Sequence, residues 1–264
     1  MIEQDQDAFL CLLMTKILLK TFLILLLFHG MVDSYAAEVM VAVASNFTSP
    51  MKRIAESFGR ETGHQVRLSF GSTGSFYAQI RNGAPYHILF SADDETPQKL
   101  VSDGLAIDKS QFTYAMGRLV LWSPNKGYFD NNGDILKTQS IKKIAVANPQ
   151  LAPYGLAAVQ VLNKLGLYSN LESKLITGEN ITQTYQFIAS GAVDLGFIAL
   201  SQIYQEGVLA NGSAWIVPSS YHAPIQQDAV LLKNGQNNEA AKALLLYMRT
   251  QKIKSLIKSY GYDI

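Results

Sequence analysis

VMVAVASNFT, residues 39–48, reads from left to right as a strand, a turn and the start of a helix. Val39 to Ala44 is an unbroken apolar run, the pattern of a strand buried on both faces. Beyond the turn Ala44-Ser45-Asn46-Phe47-Thr48, the residues Met51, Ile54, Ala55 and Phe58 recur at the i, i+3, i+4, i+7 spacing of one helix face. VRLSFGSTGS, residues 66–75, repeats the plan: a strand from Val66 to Phe70, then Gly71-Ser72-Thr73-Gly74-Ser75, then a helix that carries Phe76 and Ile80. The first N–H groups of a helix lack partners and its dipole favours negative charge, so both turns suit an anion. Neither turn contains Lys, Arg or His. An anion held here is held by neutral donors, which points to a binder of small oxyanions rather than an enzyme.

Outward from these turns the alternation continues. Gly63 closes the first helix and Gly83-Ala84-Pro85 the second; Ile88 to Ser91 is a third strand, with a short helix from Pro97 to Val101 before Gly104. Phe112 to Ser123 is long and apolar and fits either one extended strand or two strands meeting at Gly117. Ile144 to Ala147, Leu195 to Leu200, Trp215 to Val217 and Ile225 to Leu232 read as further strands. Leu156, Val159, Leu162 and Leu165 mark a helix ending at Gly166, and Ile181, Tyr185 and Ile188 another. Two helices close the chain, on Ala241, Leu244, Leu245 and Met248 and on Ile253, Leu256, Ile257 and Tyr260. Strand-helix alternation predicts mostly parallel sheets flanked by helices. The number of strands exceeds one small sheet. A break near Phe112 to Arg118 and a return near Val217 to Ile225 predict two lobes joined by two crossings, with a ligand between them at the carboxyl ends of the strands. Asn125 to Gly133 is a polar surface loop.

The front of the 264-residue chain has the order of a secretory signal. Lys16 and Lys20 precede the apolar run Phe22 to Phe28, and Ser34-Tyr35-Ala36 supplies small residues for a cut after Ala36, with Ala37 the close alternative. The run is shorter than the roughly 20 residues of a membrane anchor. Glu3, Asp5 and Asp7 place negative charge where a signal carries positive, so Met14 reads as the start and residues 1–13 as a misassigned extension. The first 36 residues hold two of the 22 basic and four of the 21 acidic side chains, so the remaining 228 carry +3. That balance gives no bias towards nucleic acid or an anionic membrane. The only cysteine, Cys11, leaves with the signal, and a chain of this length is stable through its core without disulfides. The expected product is exported, without a lipid anchor or membrane insertion, and monomeric.

Other chemistries fit less well. Asp93-Asp94 suggests paired acids, but an acid before a helix is more often a cap. His64, His87 and His222 lack metal-ligand spacing. Ser45 as a hydrolase nucleophile lacks the Gly-x-Ser-x-Gly elbow and identifiable His and acid partners. A secreted hydrolase is thus the alternative of a different class, and no catalytic residue or cofactor is assigned.

VAVASNF, SFGSTGSFYAQIRNGAP, ILFSAD, ANPQLAPYGLAAVQVLNKLG, GENI and SYGYDI occur in this order over roughly residues 38–264. In them the chain resembles the periplasmic molybdate-binding component of ABC importers. The resemblance implies an α/β, two-lobed periplasmic binding protein fold of type II, each lobe a mostly parallel sheet flanked by helices, with two hinge crossings. The expected bounds are a signal peptide at 1–36, lobe 1 at 37–116 and 220–264, and lobe 2 at 117–219. Implied as ligand is molybdate, with tungstate, delivered to an ABC permease of the inner membrane; sulfate or another oxyanion is the alternative. Molybdenum enters only as the bound oxyanion, with no direct protein ligand. Carried over by residue, the resemblance implies Ser45 and Asn46 from the first turn, Ser72 and Thr73 from the second, and the N–H groups of Tyr154 and Ile181. Many relatives have a tyrosine where this chain has Ala199; the resemblance implies that Asn46 supplies the missing donor, with Tyr154, Tyr185 and Tyr204 as further candidates.

The residue types suit such a ligand. Molybdate and tungstate are fully deprotonated near neutral pH, so a selective site contains donors only. Glu179 beside the fourth segment is expected to point to solvent. Hydrogen bonds to a charged group contribute roughly 1.5–3 kcal/mol each, and donors spaced for the larger ion leave sulfate with long, weak bonds.

Overall fold

The computed structural model describes residues 36–264 and, ahead of them, Met14 alone. The expected signal segment and Cys11 therefore lie outside the described residues, apart from Met14 and the proposed cleavage residue Ala36.

Two five-stranded sheets form the frame. The first contains β1 (Glu38–Ala44), β2 (Gln65–Gly71), β3 (Ile88–Phe90), β4 (Phe112–Gly117) and β12 (Ile225–Leu231), in the order β2-β1-β3-β12-β4. The second contains β5 (Leu119–Ser123), β6 (Ile144–Ala147), β7 (Leu175–Gly178), β8 (Gly196–Ala199) and β11 (Ser213–Ile216), in the order β11-β5-β8-β6-β7. β1 pairs parallel with β2 and β3, and β12 runs against β3 and β4. In the second sheet β6 pairs parallel with β7 and β8, and β5 runs against β8 and β11. Each sheet thus has one reversed strand, and in each it is the strand that follows a crossing: β5 after Gly117, β12 after the segment from Val217 to Pro224. The apolar stretch Phe112 to Ser123 is resolved in favour of two strands, one in each sheet. A small hairpin, β9 (Tyr204–Gln205) and β10 (Val208–Leu209), was not anticipated, nor was the short, half-polar strand β7.

The helices are α1 (Thr48–Thr62), α2 (Thr73–Arg81), α3 (Glu95–Ser102), α4 (Pro153–Lys164), α5 (Tyr168–Leu171), α6 (Ile181–Ala189), α7 (Glu239–Met248) and α8 (Gln251–Ser259). They cover both faces of each sheet, which is why the inner strands β3, β6 and β8 read as continuous apolar runs, as β1 does from Val39 on. In the first sheet Val39, Val41 and Val43 meet α1, α7 and α8, while Ala42, Leu89 and Val230 meet α2 and α3. In the second, Leu121, Ile144 and Val146 meet α4, while Val120, Ala145 and Ile198 meet α6. Gly63 ends α1 with φ of 74°, a conformation that costs a side chain but not glycine.

One helix face differs from the reading by sequence. Leu156 was expected inside α4 but is 48% exposed, and the buried face carries Tyr154, Ala157, Ala158, Val161 and Leu162. The reason is close approach. A Cβ on Gly155 would lie 2.2 Å from the Ala147 carbonyl oxygen, so the start of α4 lies almost on β6 and alanines face the sheet beyond it.

Candidate functional site

Four helix starts converge where the two sheets face each other. After β1 the chain makes a turn of 3-10 helix, Ser45–Phe47, before α1. Ser72 sits in extended conformation ahead of α2. On the second sheet's side, Pro153 opens α4 and Asn180 caps α6. Ser45, Asn46, Ser72, Thr73, Tyr154 and Ile181 all line one pocket, and its remaining walls are Ala44, Gly71, Ala92, Ala152 and Pro153. No wall residue is charged. All six residues named from the sequence are buried.

The donors can be counted individually. Thr73 Oγ1 accepts from Ala92 N at 3.0 Å, which orients the hydroxyl; the next oxygen, Ser91 Oγ, is 3.4 Å away. The Thr73 proton is therefore left for a ligand. Ser45 Oγ reaches Asn180 Oδ1 only at 3.4 Å, a weak contact. Ser72 Oγ is 2.7 Å from Ser75 Oγ. Asn180 Oδ1 accepts from Thr182 N at 3.0 Å and Gln183 N at 3.1 Å, which occupies the second and third N–H groups of α6. At α4, Pro153 has no N–H, and Ala152 O accepts from Gly155 N and Leu156 N. Among the described residues the first N–H groups left, those of Ile181 and Tyr154, have no backbone acceptor.

Asn46 is placed differently from the rest. Its Nδ2 donates to Gln227 Oε1 and to Tyr262 OH, both at 2.9 Å. Both amide protons are therefore engaged within the protein, and what remains to offer the pocket is the main-chain N–H. Tyr154 OH likewise faces inward, accepting from Gln227 Nε2 at 3.1 Å. Burial holds the Tyr114 and Tyr154 phenols well above the usual tyrosine range and raises Tyr262 as well, so all three stay protonated. Of the other tyrosines considered, Tyr185 stacks on Trp122 and Tyr204 lies in β9; neither lines the pocket. Ala199 is fully buried at the end of β8. Its N–H donates to Gln202 Oε1, and Gln202 Nε2 donates to Ile181 O, each at 3.0 Å, so this segment braces α6 rather than reaching the pocket.

The two sides touch directly. Gly74 N donates to Leu151 O at 2.9 Å, Thr182 Oγ1 to Ser45 O at 3.3 Å, and Ser201 Oγ to Asn46 O at 2.8 Å. This is a closed arrangement. Gly74 allows it, since a Cβ there would lie 3.0 Å from Leu151 Cα.

Acids stay off the pocket wall. Asp93 lies behind Thr73, one residue ahead of the N-cap of α3, and accepts from Thr96 N in the first turn at 2.8 Å; burial raises its pKa. Glu179 is exposed, as expected. Among the described residues no group of three His, Cys, Asp or Glu side chains is placed to hold a metal ion, and no helix is long and apolar enough to cross a membrane.

Sequence reading missed Gln227, Tyr114, Ser201 and Tyr262. The available signal was Gln226-Gln227-Asp228, a polar interruption in the middle of an otherwise buried strand.

A family model described as bacterial extracellular solute-binding protein matches residues 39–263. A relative from Azotobacter vinelandii, named molybdate-binding protein ModA, is 53% identical over 229 residues, which cover 87% of this chain and 91% of that one. A relative of the same name from Rhodobacter capsulatus is 48% identical over 228 residues, covering 86% and 88%. Among solved structures, the Azotobacter vinelandii periplasmic molybdate-binding protein superposes with a TM-score of 0.83 at 43% identity, over 86% of this chain and 99% of that one.

Proposed function

We propose, for a chain that belongs to the bacterial extracellular solute-binding proteins and among them to the molybdate-binding ModA family, that the pocket between the two sheets captures molybdate and presents it to an ABC importer. The fold is the two-lobed α/β periplasmic binding fold of type II. The protein is a solute-binding protein and not an enzyme, as its relatives are. Molybdate is a ligand here, not a cofactor.

The single observation that carries the reading of the pocket is its wall: hydroxyls and helix-start N–H groups, with no charged side chain. In our reading Ser45 and Thr73 donate through hydroxyls, and Tyr154 and Ile181 through main-chain N–H groups. Asn46 contributes its N–H, because its amide is committed to Gln227 and Tyr262. Ser72 closes the wall and orients the turn through Ser75. A dianion with no proton to donate matches such a wall, and a phosphate that still carries a proton meets no carboxylate acceptor there. Tungstate, of the same charge and shape, binds too. Sulfate is smaller, and the same donors reach it poorly.

We assign residues 37–116 and 220–264 to lobe 1 and residues 117–219 to lobe 2. Only the closed form contacts the anion from both lobes, so binding shifts the population towards closure. The mature protein begins near Ala37 after export to the periplasm and acts as a monomer that docks, closed and loaded, on the permease.

The test is calorimetric titration of the mature protein with molybdate, tungstate, sulfate and phosphate separately. Tight binding of the first two alone supports the reading. Binding of sulfate or phosphate in their place keeps the clamp and overturns the ligand.

A further inference from the structure

We propose that Gln227 is the positioning residue that fixes the distance between the two lobes' donors, and so the size of oxyanion the pocket accepts; this rests on the molybdate reading of the pocket. Gln227 is fully buried and does not itself line the pocket. Its side chain joins the two lobes. Oε1 accepts from Asn46 Nδ2 at 2.9 Å and from Tyr114 OH at 3.0 Å, while Nε2 donates to Tyr154 OH at 3.1 Å. Asn46 adjoins the Ser45 donor of lobe 1, and Tyr154 carries a donor N–H of lobe 2. One rigid amide therefore spans the pocket from behind.

Two features of the backbone serve this placement. The register of β12 against β4 shifts between Gln227 and Asp228, and an irregularity of this kind re-aims the side chain beside it. At the first crossing Gly117 leaves the room: a Cβ there would lie 2.3 Å from Tyr154 OH and 2.6 Å from Gln227 Nε2. Strand irregularity, glycine and amide thus meet at one point, where the chain passes between lobes.

The physical consequence is a stop. For a smaller ion to make short bonds on both sides, the lobes must come closer. Asn46, Gln227 and Tyr154 are already at hydrogen-bond contact, so further approach compresses them. A sulfate ion is then held at molybdate spacing by long bonds. Without the amide, the stop directly behind the donors is removed, and the lobes are held at their spacing only by the contacts of Gly74, Thr182 and Ser201, which lets the donors move towards the smaller ion.

The experiment measures dissociation constants for molybdate and sulfate, the latter by displacement of bound molybdate, in wild type, Gln227→Met and Tyr154→Phe, with a thermal melt of each apo protein. Tyr154→Phe keeps the ring and the N–H donor and removes only the phenol oxygen, so it decides the matter if Gln227→Met fails to fold. The expected result is a molybdate-to-sulfate preference narrowed about tenfold in each variant, one hydrogen bond's worth. Equal weakening of both ions, which a purely structural role gives, overturns the assignment, and so does an unchanged ratio. If wild type itself fails to prefer molybdate, the reading of the pocket falls; if wild type prefers molybdate and the variants keep its ratio, only the role of Gln227 falls.

Discussion

The two lobes share one plan and line the pocket between them with different chemistry. Each has a five-stranded sheet with one reversed strand, helices on both faces, and two helix starts at the pocket. Lobe 1 presents side-chain hydroxyls, from Ser45, Ser72 and Thr73. Lobe 2 presents Tyr154 and Ile181, whose side chains belong to its apolar core and whose N–H groups are the free ends of α4 and α6. The difference separates two kinds of dependence on sequence. In the proposed reading the lobe 1 wall is written in the residues whose side chains meet the ligand. The lobe 2 wall is written in the residues that fix where a helix begins: Pro153, Gly155 and Asn180.

That contrast can be broken most severely on the lobe 1 side. Ser45→Ala combined with Thr73→Ala removes two hydroxyl donors to a dianion, roughly 1.5–3 kcal/mol each, so calorimetry should show molybdate affinity reduced by about 10²–10⁴-fold. On the lobe 2 side the comparable damage comes from a residue whose cap, not a ligand contact, is lost. Asn180→Ala deprives Thr182 N and Gln183 N of their acceptor. A lost cap costs about 1 kcal/mol, so affinity should fall about fivefold, with a lower melting temperature.

Asp93 tests the rule that acids are kept off the pocket wall. Burial raises its pKa, so the folded protein holds that proton to higher pH than the unfolded chain does. The group's contribution to stability is greatest at low pH and is lost as pH rises through the folded value. Asp93→Asn keeps an oxygen acceptor for Thr96 N and removes the charge. Its gain in melting temperature over wild type should be larger at about pH 7 than at about pH 4, and molybdate should bind about threefold tighter. The smallest effect sharpens the contrast most. Ile181→Val keeps the N–H and most of the buried volume, so affinity should stay within about twofold of wild type.

Much of this was legible along the chain because it is local. A strand, a hydroxyl turn and an amphipathic helix occupy some twenty consecutive residues, so the two turns that hold Ser45, Asn46, Ser72 and Thr73 declare themselves by type and place. Which of their residues face a ligand was reached through family resemblance, as were Tyr154 and Ile181, since an N–H donor leaves no mark on residue type. What stayed hidden depends on contacts distant in sequence. Gln227 meets Asn46 across 181 positions and Tyr154 across 73. Leu156 was misplaced because the closeness of α4 to β6, enforced at Gly155, selects alanines over the larger apolar residue. Phe112 to Ser123 stayed ambiguous because a crossing between sheets at Gly117 carries no composition change.

The most direct test is a crystal structure of the mature protein grown with molybdate, the metal located by its anomalous scattering. The account predicts one ion between the lobes, with its oxygens about 2.7–3.2 Å from the hydroxyls of Ser45 and Thr73 and the main-chain N–H groups of Asn46, Tyr154 and Ile181. It predicts no Lys, Arg or His in contact. An ion held by a basic side chain, or seated outside this pocket, would contradict it.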